Sequence, residues 1–243
     1  MSASDQDYFI NYPVFLKYKN RFHPGLLKRQ RYLKSVWMNE RIVEIPFALK
    51  SLFRDCREGD HILDLGCSES LFPLEAAMMG YKVTGLDQRP FPYAHPNLEV
   101  MSGDILNLPF EENYFDAVTC LSTLEHIGIG YYGDSRDSDD ADFKAAGQIA
   151  RVLKKKGLFI LTVPFGKEGE MMPFRVYCTD RLNQVLKSFQ VNEIRYFHSR
   201  QNNVSRCNTW IECDENIASQ IVSSNGVKAV CLIHAVNRKE ELK

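Results

Sequence analysis

Two acidic residues stand at the ends of apolar segments in this chain, and a glycine follows the first of them. The segment His61–Leu65 contains Asp64 and precedes Gly66, and the segment Lys82–Leu86 precedes Asp87. Asp87 lies 21 residues after Gly66, close to the roughly 20-residue offset at which nucleotide-binding βαβ units place an acid on a ribose hydroxyl pair. This spacing indicates a site for a nucleoside.

The residues around these acids predict the elements that would position them. Residues 71–79 predict a helix whose first N–H groups point toward the crevice beside Gly66, and Gly80 suits the C-terminal end of that helix. From Asp60 onward, predicted strands and helices alternate along the chain. Such alternation favours an α/β domain with a parallel sheet, whose ligand crevice lies at the carboxyl ends of the strands.

The glycine pattern separates two classes of nucleoside cofactor. A dinucleotide site usually carries G-x-G-x-x-G, because a pyrophosphate must approach the backbone. Here only Gly66 is present, and it is followed by Cys-Ser-Glu-Ser, in which Glu69 would repel a pyrophosphate. S-adenosylmethionine (SAM) has no phosphate, and its positive groups suit a site that contains Asp64 and Asp87. The residues therefore favour SAM over a dinucleotide.

Five segments in order resemble the motifs of the class I SAM-dependent methyltransferases. They are Leu63–Ser68, Gly85–Asp87, Gly103–Ile105, Phe115–His126 and Arg151–Pro164. The resemblance covers roughly residues 59–164, and it departs from the first motif because Ser68 and Ser70 replace the two later glycines. It implies an α/β, Rossmann-like fold with a seven-stranded, mostly parallel sheet and a C-terminal antiparallel hairpin.

The same resemblance implies which residues contact the cofactor. Asp87 would bind the ribose, Asp104 would bind the adenine amino group, and Asp64 with Gly66 would lie on the methionine side. The expected contacts are Asp64, Gly66, Cys67, Ser68, Asp87, Gln88, Asp104, Ile105, Leu121 and Ser122. For the acids an ordinary alternative stays open, since aspartates often cap turns at strand ends.

His126 is the candidate catalytic residue. It follows Glu125 in the turn after the fourth predicted strand, which the resemblance places beside the reactive methyl group. Imidazole titrates near neutral pH and can accept a proton from a hydroxyl or an amine. The alternative is a structural histidine at a helix start, bonded to the backbone or to Glu125.

Some relatives use an E-x-x-E-H sequence at this turn to bind a divalent metal. This chain has Ser122-Thr-Leu-Glu-His126, so the first carboxylate is missing. Aspartates at positions 134, 137, 139 and 140 would be the nearest source of replacement oxygen ligands for Mg²⁺. We expect no metal, because a run of aspartates is more often a solvated loop.

Size and composition narrow the classes of function. The 243 residues are 44% hydrophobic and 25% charged, with a net charge of −1, as in an ordinary globular domain. Near-neutral charge argues against a nucleic-acid partner.

No apolar run approaches the roughly 20 residues of a membrane span, and the first residues lack the features of a signal peptide. We expect a cytoplasmic protein without a membrane span, and reduced cysteines, since none of the seven forms C-x-x-C. The sequence does not predict the oligomeric state.

The chain divides into two predicted parts. Residues 1–58 form an expected N-terminal helical cap for the substrate, with a basic and aromatic run and a helix at about 39–57. Residues 59–243 form the expected SAM-binding domain. A finer resemblance, carried by Leu121–Gly128, Tyr132–Asp134, Val163–Lys167 and Phe174–Tyr177, is to an uncharacterised methyltransferase subgroup of glycan and secondary-metabolite pathways.

The expected reaction is therefore methyl transfer from SAM to a hydroxyl, or to another nucleophile, of a small-molecule or glycan-linked acceptor. Two alternatives stay open. One is an RNA or protein methyltransferase. The other is a module that binds SAM without catalysis, which the missing glycines after Gly66 make worth testing.

Overall fold

A computed structural model describes residues 39–130, 139–167, 174–201, 208–223 and 226–238. Its strands are β1 (His61–Leu65), β2 (Lys82–Asp87), β3 (Leu98–Ser102), β4 (Phe115–Leu121), β5 (Leu153–Pro164), β6 (Phe189–Gln201), β7 (Asn208–Cys213) and β8 (Ala229–Asn237). Its α-helices in these ranges are α1 (Arg41–Asp55), α2 (Phe72–Met78), α3 (Ala141–Val152), α4 (Thr179–Val185) and α5 (Glu215–Ala218). Short 3₁₀ turns occupy Cys67–Glu69, Ile105–Asn107, Leu124–His126 and Leu186–Ser188.

The strands form one sheet in the order β3-β2-β1-β4-β5-β8-β6-β7. The five strands from β3 to β5 pair in parallel, and β8, β6 and β7 add antiparallel pairs. The α/β, Rossmann-like architecture and the antiparallel C-terminal end are confirmed. The predicted number of seven strands is wrong, because β7 adds an eighth. This six-residue strand pairs with β6 alone at the sheet edge, so it lacks the continuous apolar run that marks a strand buried on both faces.

Helices cover both faces of the sheet, which is why its central strands are apolar in succession. Neighbouring residues of β1 point to opposite sides: Ile62 packs in one core cluster with α1 and α2, and Leu63 packs in the other with α3 and α4. Both side chains are completely buried. The strand ends are thereby held rigidly, and residues just beyond them take fixed positions.

Helix α1 packs against β4, β5, β8 and α2, although it precedes the predicted nucleotide-binding unit in sequence. It runs through Pro46 and buries Val43, Phe47 and Leu52 in the core. The basic and aromatic run of the N-terminal segment lies outside the described residues. The division of the chain at residue 58 stays a prediction.

No helix within the described ranges is both long enough and apolar enough to span a bilayer. The cytoplasmic location stays a prediction.

Candidate functional site

A cavity of about 640 Å³ opens at the carboxyl ends of β1, β2 and β4. Seven of the predicted site residues line it: Gly66, Asp87, Gln88, Asp104, Ile105, Ser122 and His126. Four predicted residues are not among its lining: Asp64, Cys67, Ser68 and Leu121. Further lining residues that sequence reasoning missed include Arg41, Glu69, Arg89, Thr123 and Lys144.

Asp87 ends β2 and is 7% exposed. Its Oδ2 accepts a hydrogen bond from the backbone N–H of Ser68 at 3.0 Å, and its Oδ1 accepts one from the backbone N–H of Arg89 at 2.9 Å. Burial alone would raise the pKa of Asp87, but the hydrogen bonds from Arg89 and Ser68 outweigh it and lower that pKa. Asp87 is therefore an ionised acceptor held in a fixed orientation at the cavity wall.

Asp104 follows β3 and caps the 3₁₀ turn Ile105–Asn107. Its Oδ1 accepts from the backbone N–H of Leu106 at 2.9 Å. Asp104 therefore caps a turn, which is the alternative role that the sequence left open. It also lines the cavity. One carboxylate oxygen takes part in the cap, and the other makes no side-chain bond within the described residues.

Gly66 is required for a reason that the sequence did not reveal. Its φ of 76° lies in the left-handed region, which favours glycine. A Cβ built at this position would also lie 2.1 Å from Thr123 Oγ1 and 2.8 Å from Thr123 Cβ. The close approach at Gly66 is therefore to the turn after β4, in addition to any approach of a ligand.

Asp64 lies within the sheet beneath the cavity. It is 2% exposed, and its Oδ1 accepts from Thr119 Oγ1 of the adjacent strand at 2.7 Å. Burial raises its pKa to about 7, against the opposing effect of the Thr119 hydrogen bond. The acids in the lining of the cavity are instead Asp87, Asp104 and Glu69, and contact of Asp64 with the cofactor stays a prediction.

Three more predicted residues do not line the cavity and lie next to residues that do: Cys67, Ser68 and Leu121. Cys67 is 1% exposed, and Leu121 is 3% exposed. Ser68 uses its backbone N–H on Asp87 and donates its hydroxyl to the carbonyl of Arg89 at 2.9 Å. These residues shape the loops, and their direct contact with the cofactor stays a prediction.

Arg41, the first residue of α1, also lines the cavity. Its Nη1 donates to the carbonyl oxygen of Leu121 at 2.7 Å and to Glu44 Oε2 at 3.2 Å. Glu44 is completely buried, and its Oε1 accepts from Ser122 Oγ at 2.6 Å. An Arg–Glu pair three residues apart is ordinarily a surface pair of a helix, so only the packing of α1 on β4 reveals this role.

Ser122 has a φ of 43°, which is uncommon for a residue with a side chain. Its backbone N–H donates to the carbonyl oxygen of Thr162 at 3.1 Å and to Thr162 Oγ1 at 3.0 Å. With the Glu44 bond, these contacts hold the turn after β4 in a sparsely populated conformation. Backbone strain of this kind is found at functional sites.

His126 lines the cavity, and its side chain is 24% exposed. Its Nε2 lies 3.9 Å from Oε1 of Glu125, which is beyond hydrogen-bonding distance. Glu125 is 1% exposed, and burial raises its pKa well above the usual range. The structure therefore gives His126 access to a ligand and places a buried carboxyl beside it.

Within the described ranges, no group of three or more His, Cys, Asp or Glu residues is arranged to hold a metal ion. The hydroxyl that replaces the first carboxylate of the metal-binding pattern, Ser122, bonds to Glu44. Aspartates 134 and 137 lie outside the described residues. The expectation of a metal-free site stays a prediction.

Comparison with known proteins agrees with this geometry. Residues 63–161 match a family model described as a methyltransferase domain. The chain is 32% identical over 111 residues to a demethylmenaquinone methyltransferase of Corynebacterium kroppenstedtii, over 42% of this chain and 41% of that protein. It is 30% identical over 86 residues to a mitochondrial ubiquinone biosynthesis O-methyltransferase of Schizosaccharomyces pombe, over 30% of this chain and 31% of that protein. The chain thus covers less than half the length of these curated relatives.

The fold also matches solved structures. A SAM-dependent methyltransferase of Methanosarcina mazei aligns with 78% of this chain and 97% of its own, with a TM-score of 0.53 and 16% sequence identity. At this identity the likeness concerns the fold. Residues 63–161 therefore match a methyltransferase domain, and they lie within a fold that is shared with a solved SAM-dependent methyltransferase.

Proposed function

We propose that this chain is an enzyme that transfers a methyl group from SAM to a hydroxyl, or to another nucleophile, of a small-molecule or glycan-linked acceptor. One observation carries the proposal: a single cavity has Asp87, Asp104 and Arg41 in its lining. Two acids suit the hydroxyl and amino groups of an adenosine, and a guanidinium suits the carboxylate of an amino acid. SAM contains both parts in one molecule.

The donors of Arg41 support the amino-acid end of this assignment. Only its Nη1 has hydrogen-bond partners among the described residues, namely Leu121 and Glu44. In that part of the chain Nε and Nη2 have no hydrogen-bond partner, and guanidinium groups bind carboxylates through two parallel N–H bonds. Because Glu44 and Leu121 hold Nη1, the guanidinium is already oriented before a carboxylate arrives.

The chain's own residues would align the reactants and handle the proton. Asp87 would hold the ribose hydroxyls, Asp104 the adenine amino group and Arg41 the carboxylate. When bound, SAM supplies an electrophilic methyl group on its sulfonium. His126 would accept the proton of a hydroxyl acceptor, which is a poor nucleophile when neutral. Alignment and exclusion of water supply the remaining acceleration.

The near-neutral charge of the chain supports a small-molecule or glycan acceptor over RNA. RNA binding would depend strongly on salt.

Titration of SAM, followed by turnover of labelled SAM with metabolite and glycan mixtures, tests the function. Methyl transfer to a small acceptor supports the proposal. Binding of SAM without any turnover would favour a non-catalytic module, and tight binding of NADH would favour a dinucleotide site.

We expect Asp87→Ala to weaken binding of S-adenosylhomocysteine (SAH), the demethylated product, by about ten- to a hundred-fold. Hydrogen bonds to a charged acceptor contribute about 1.5–3 kcal/mol. Isothermal titration calorimetry measures the change. Asp180→Asn is the control, since Asp180 is exposed in the first turn of α4 and should leave the affinity unchanged. Equal affinities for Asp87→Ala and the parent would remove Asp87 from the site.

We expect Arg41→Ala to act on only part of the ligand. It should weaken SAH by about ten-fold or more, because a charged hydrogen-bond pair is lost. It should barely affect 5′-methylthioadenosine, which keeps the nucleoside and lacks the amino acid. Asp87→Ala should weaken both ligands. If Arg41→Ala weakened the two ligands equally, the guanidinium would have a structural role and the carboxylate assignment would be wrong.

A further inference from the structure

The side chain of Arg89 is hydrogen-bonded to Asp87, the residue that the proposed function assigns to the ribose of the cofactor. Arg89 Nε donates to Asp87 Oδ1 at 3.1 Å, and Arg89 Nη2 donates to Asp87 Oδ2 at 3.3 Å. Its Nη1 donates to Oε1 of Glu69 in the loop after β1. Arg89 therefore joins the loop after β1 to the loop after β2, and all three residues line the cavity.

The hydrogen bonds of Asp87 show what a ligand would have to replace. Two come from backbone N–H groups, those of Ser68 and Arg89. The other two come from the Arg89 side chain. A carboxylate has about four lone-pair sites, so Asp87 is saturated. The two backbone bonds can persist when a ligand binds, but the two side-chain bonds occupy the positions that a ribose hydroxyl pair would need.

A physical reason for this contact is the burial of Asp87, which is 7% exposed. A buried carboxylate without partners is strongly destabilising. Arg89 supplies the missing charge and hydrogen bonds, and its own side chain is 42% exposed, so solvent reaches this ion pair. Ribose hydroxyls could replace its two N–H donors one for one.

We propose that Arg89 is an internal competitor for the ribose-binding carboxylate, and that it must leave Asp87 before the nucleoside of the cofactor binds. This inference rests on the proposed function. The apparent dissociation constant of the cofactor is then raised by the fraction of molecules in which Arg89 is engaged. Arg89 lowers the affinity while it stabilises the ligand-free site.

The test compares SAH and adenosine binding to the parent, Arg89→Gln and Arg89→Lys by calorimetry. SAH has no net charge at neutral pH, so the charge of Arg89 affects it little directly. Removing a half-exposed ion pair should tighten both ligands by about two- to ten-fold in Arg89→Gln. The affinities of Arg89→Lys for both ligands should lie between those of the parent and Arg89→Gln, because an ammonium cannot donate in the planar fork geometry of a guanidinium.

Arg54→Gln is the matched control. Arg54 is 44% exposed and pairs with two carboxylates, Asp55 and Glu193, and it does not line the cavity. The Arg54→Gln protein loses the same positive charge as Arg89→Gln. Its affinity for SAH should nevertheless equal that of the parent. Nitrogen NMR of the Arg89 guanidinium gives a second readout: its rotation should be hindered in the free protein and should change when SAH is added.

The outcomes separate the two proposals. Tighter SAH binding in Arg89→Gln, with no change in Arg54→Gln, supports the competitor role. Weaker or unchanged binding in Arg89→Gln overturns it and leaves the proposed function intact. A freely rotating Arg89 in the unliganded protein also overturns it. Absence of SAH binding to every variant contradicts the proposed function, and the role of Arg89 falls with it.

Discussion

Replacement of His126 by alanine is expected to lower kcat by about 10²–10⁴-fold, the usual contribution of a positioned general base. His126 lines the same cavity as Arg41 and Asp87, to which we assign the carboxylate and the ribose of the cofactor. The dissociation constant of SAH should barely change, because the loss is confined to the transition state. This expectation applies to a hydroxyl acceptor, which needs a base.

The pH dependence gives a second readout of the same role. A base must be unprotonated to act, so the rate of the parent enzyme should fall on the acidic side as the imidazole gains a proton. The His126→Ala enzyme should lack that step. His198→Ala is a suitable control, since His198 lies in β6 and does not line the cavity. A His126→Ala enzyme with near-normal kcat and the parent's pH profile would exclude His126 as the base.

Replacement of Gly66 by alanine is expected to destabilise the fold by about 2–5 kcal/mol. About 1–2 kcal/mol comes from placing a side chain at a left-handed φ, here 76°. Overpacking typically adds about 1–3 kcal/mol, because the new Cβ would lie 2.1 Å from Thr123 Oγ1. Urea unfolding measures the free energy, with the midpoint and the slope reported separately.

A double-mutant cycle separates the two causes. Thr123→Ala removes the closest atoms that the new Cβ would meet, so it should restore part of the stability of Gly66→Ala and leave the backbone penalty. The same substitution at Gly147 is the control, since a Cβ there meets nothing within 4 Å and the residue lies in α3. Gly147→Ala should stabilise the protein by about 0.5–1 kcal/mol. If Gly66→Ala were as stable as the parent, Thr123 would have room to move and the close contact would not constrain this turn.

The sequence by itself determined the parallel part of the fold and the positions of the strand-end residues. Apolar runs buried on both faces and glycine-marked turns identify β1 and β2 without knowledge of their neighbours. Parallel strands end at one edge of a sheet. Asp87 ends β2 and Asp104 follows β3. Both acids were therefore predictable as members of one cavity, and the structure places both in its lining.

Contacts between distant segments were decided only by the tertiary structure. Arg41 reaches the cavity because α1 packs on β4, and Glu44 meets Ser122 across 78 positions of sequence. Arg89 joins Glu69 and Asp87 because the loops after β1 and β2 lie side by side. Strand β7, which was not predicted, forms because β6 has an unpaired edge with which β7 can pair. Local patterns of residues report burial and backbone conformation, whereas the partner of a charged side chain depends on which elements are neighbours. The sequence therefore located the acids of the site, and the fold decided which cations hold or face them.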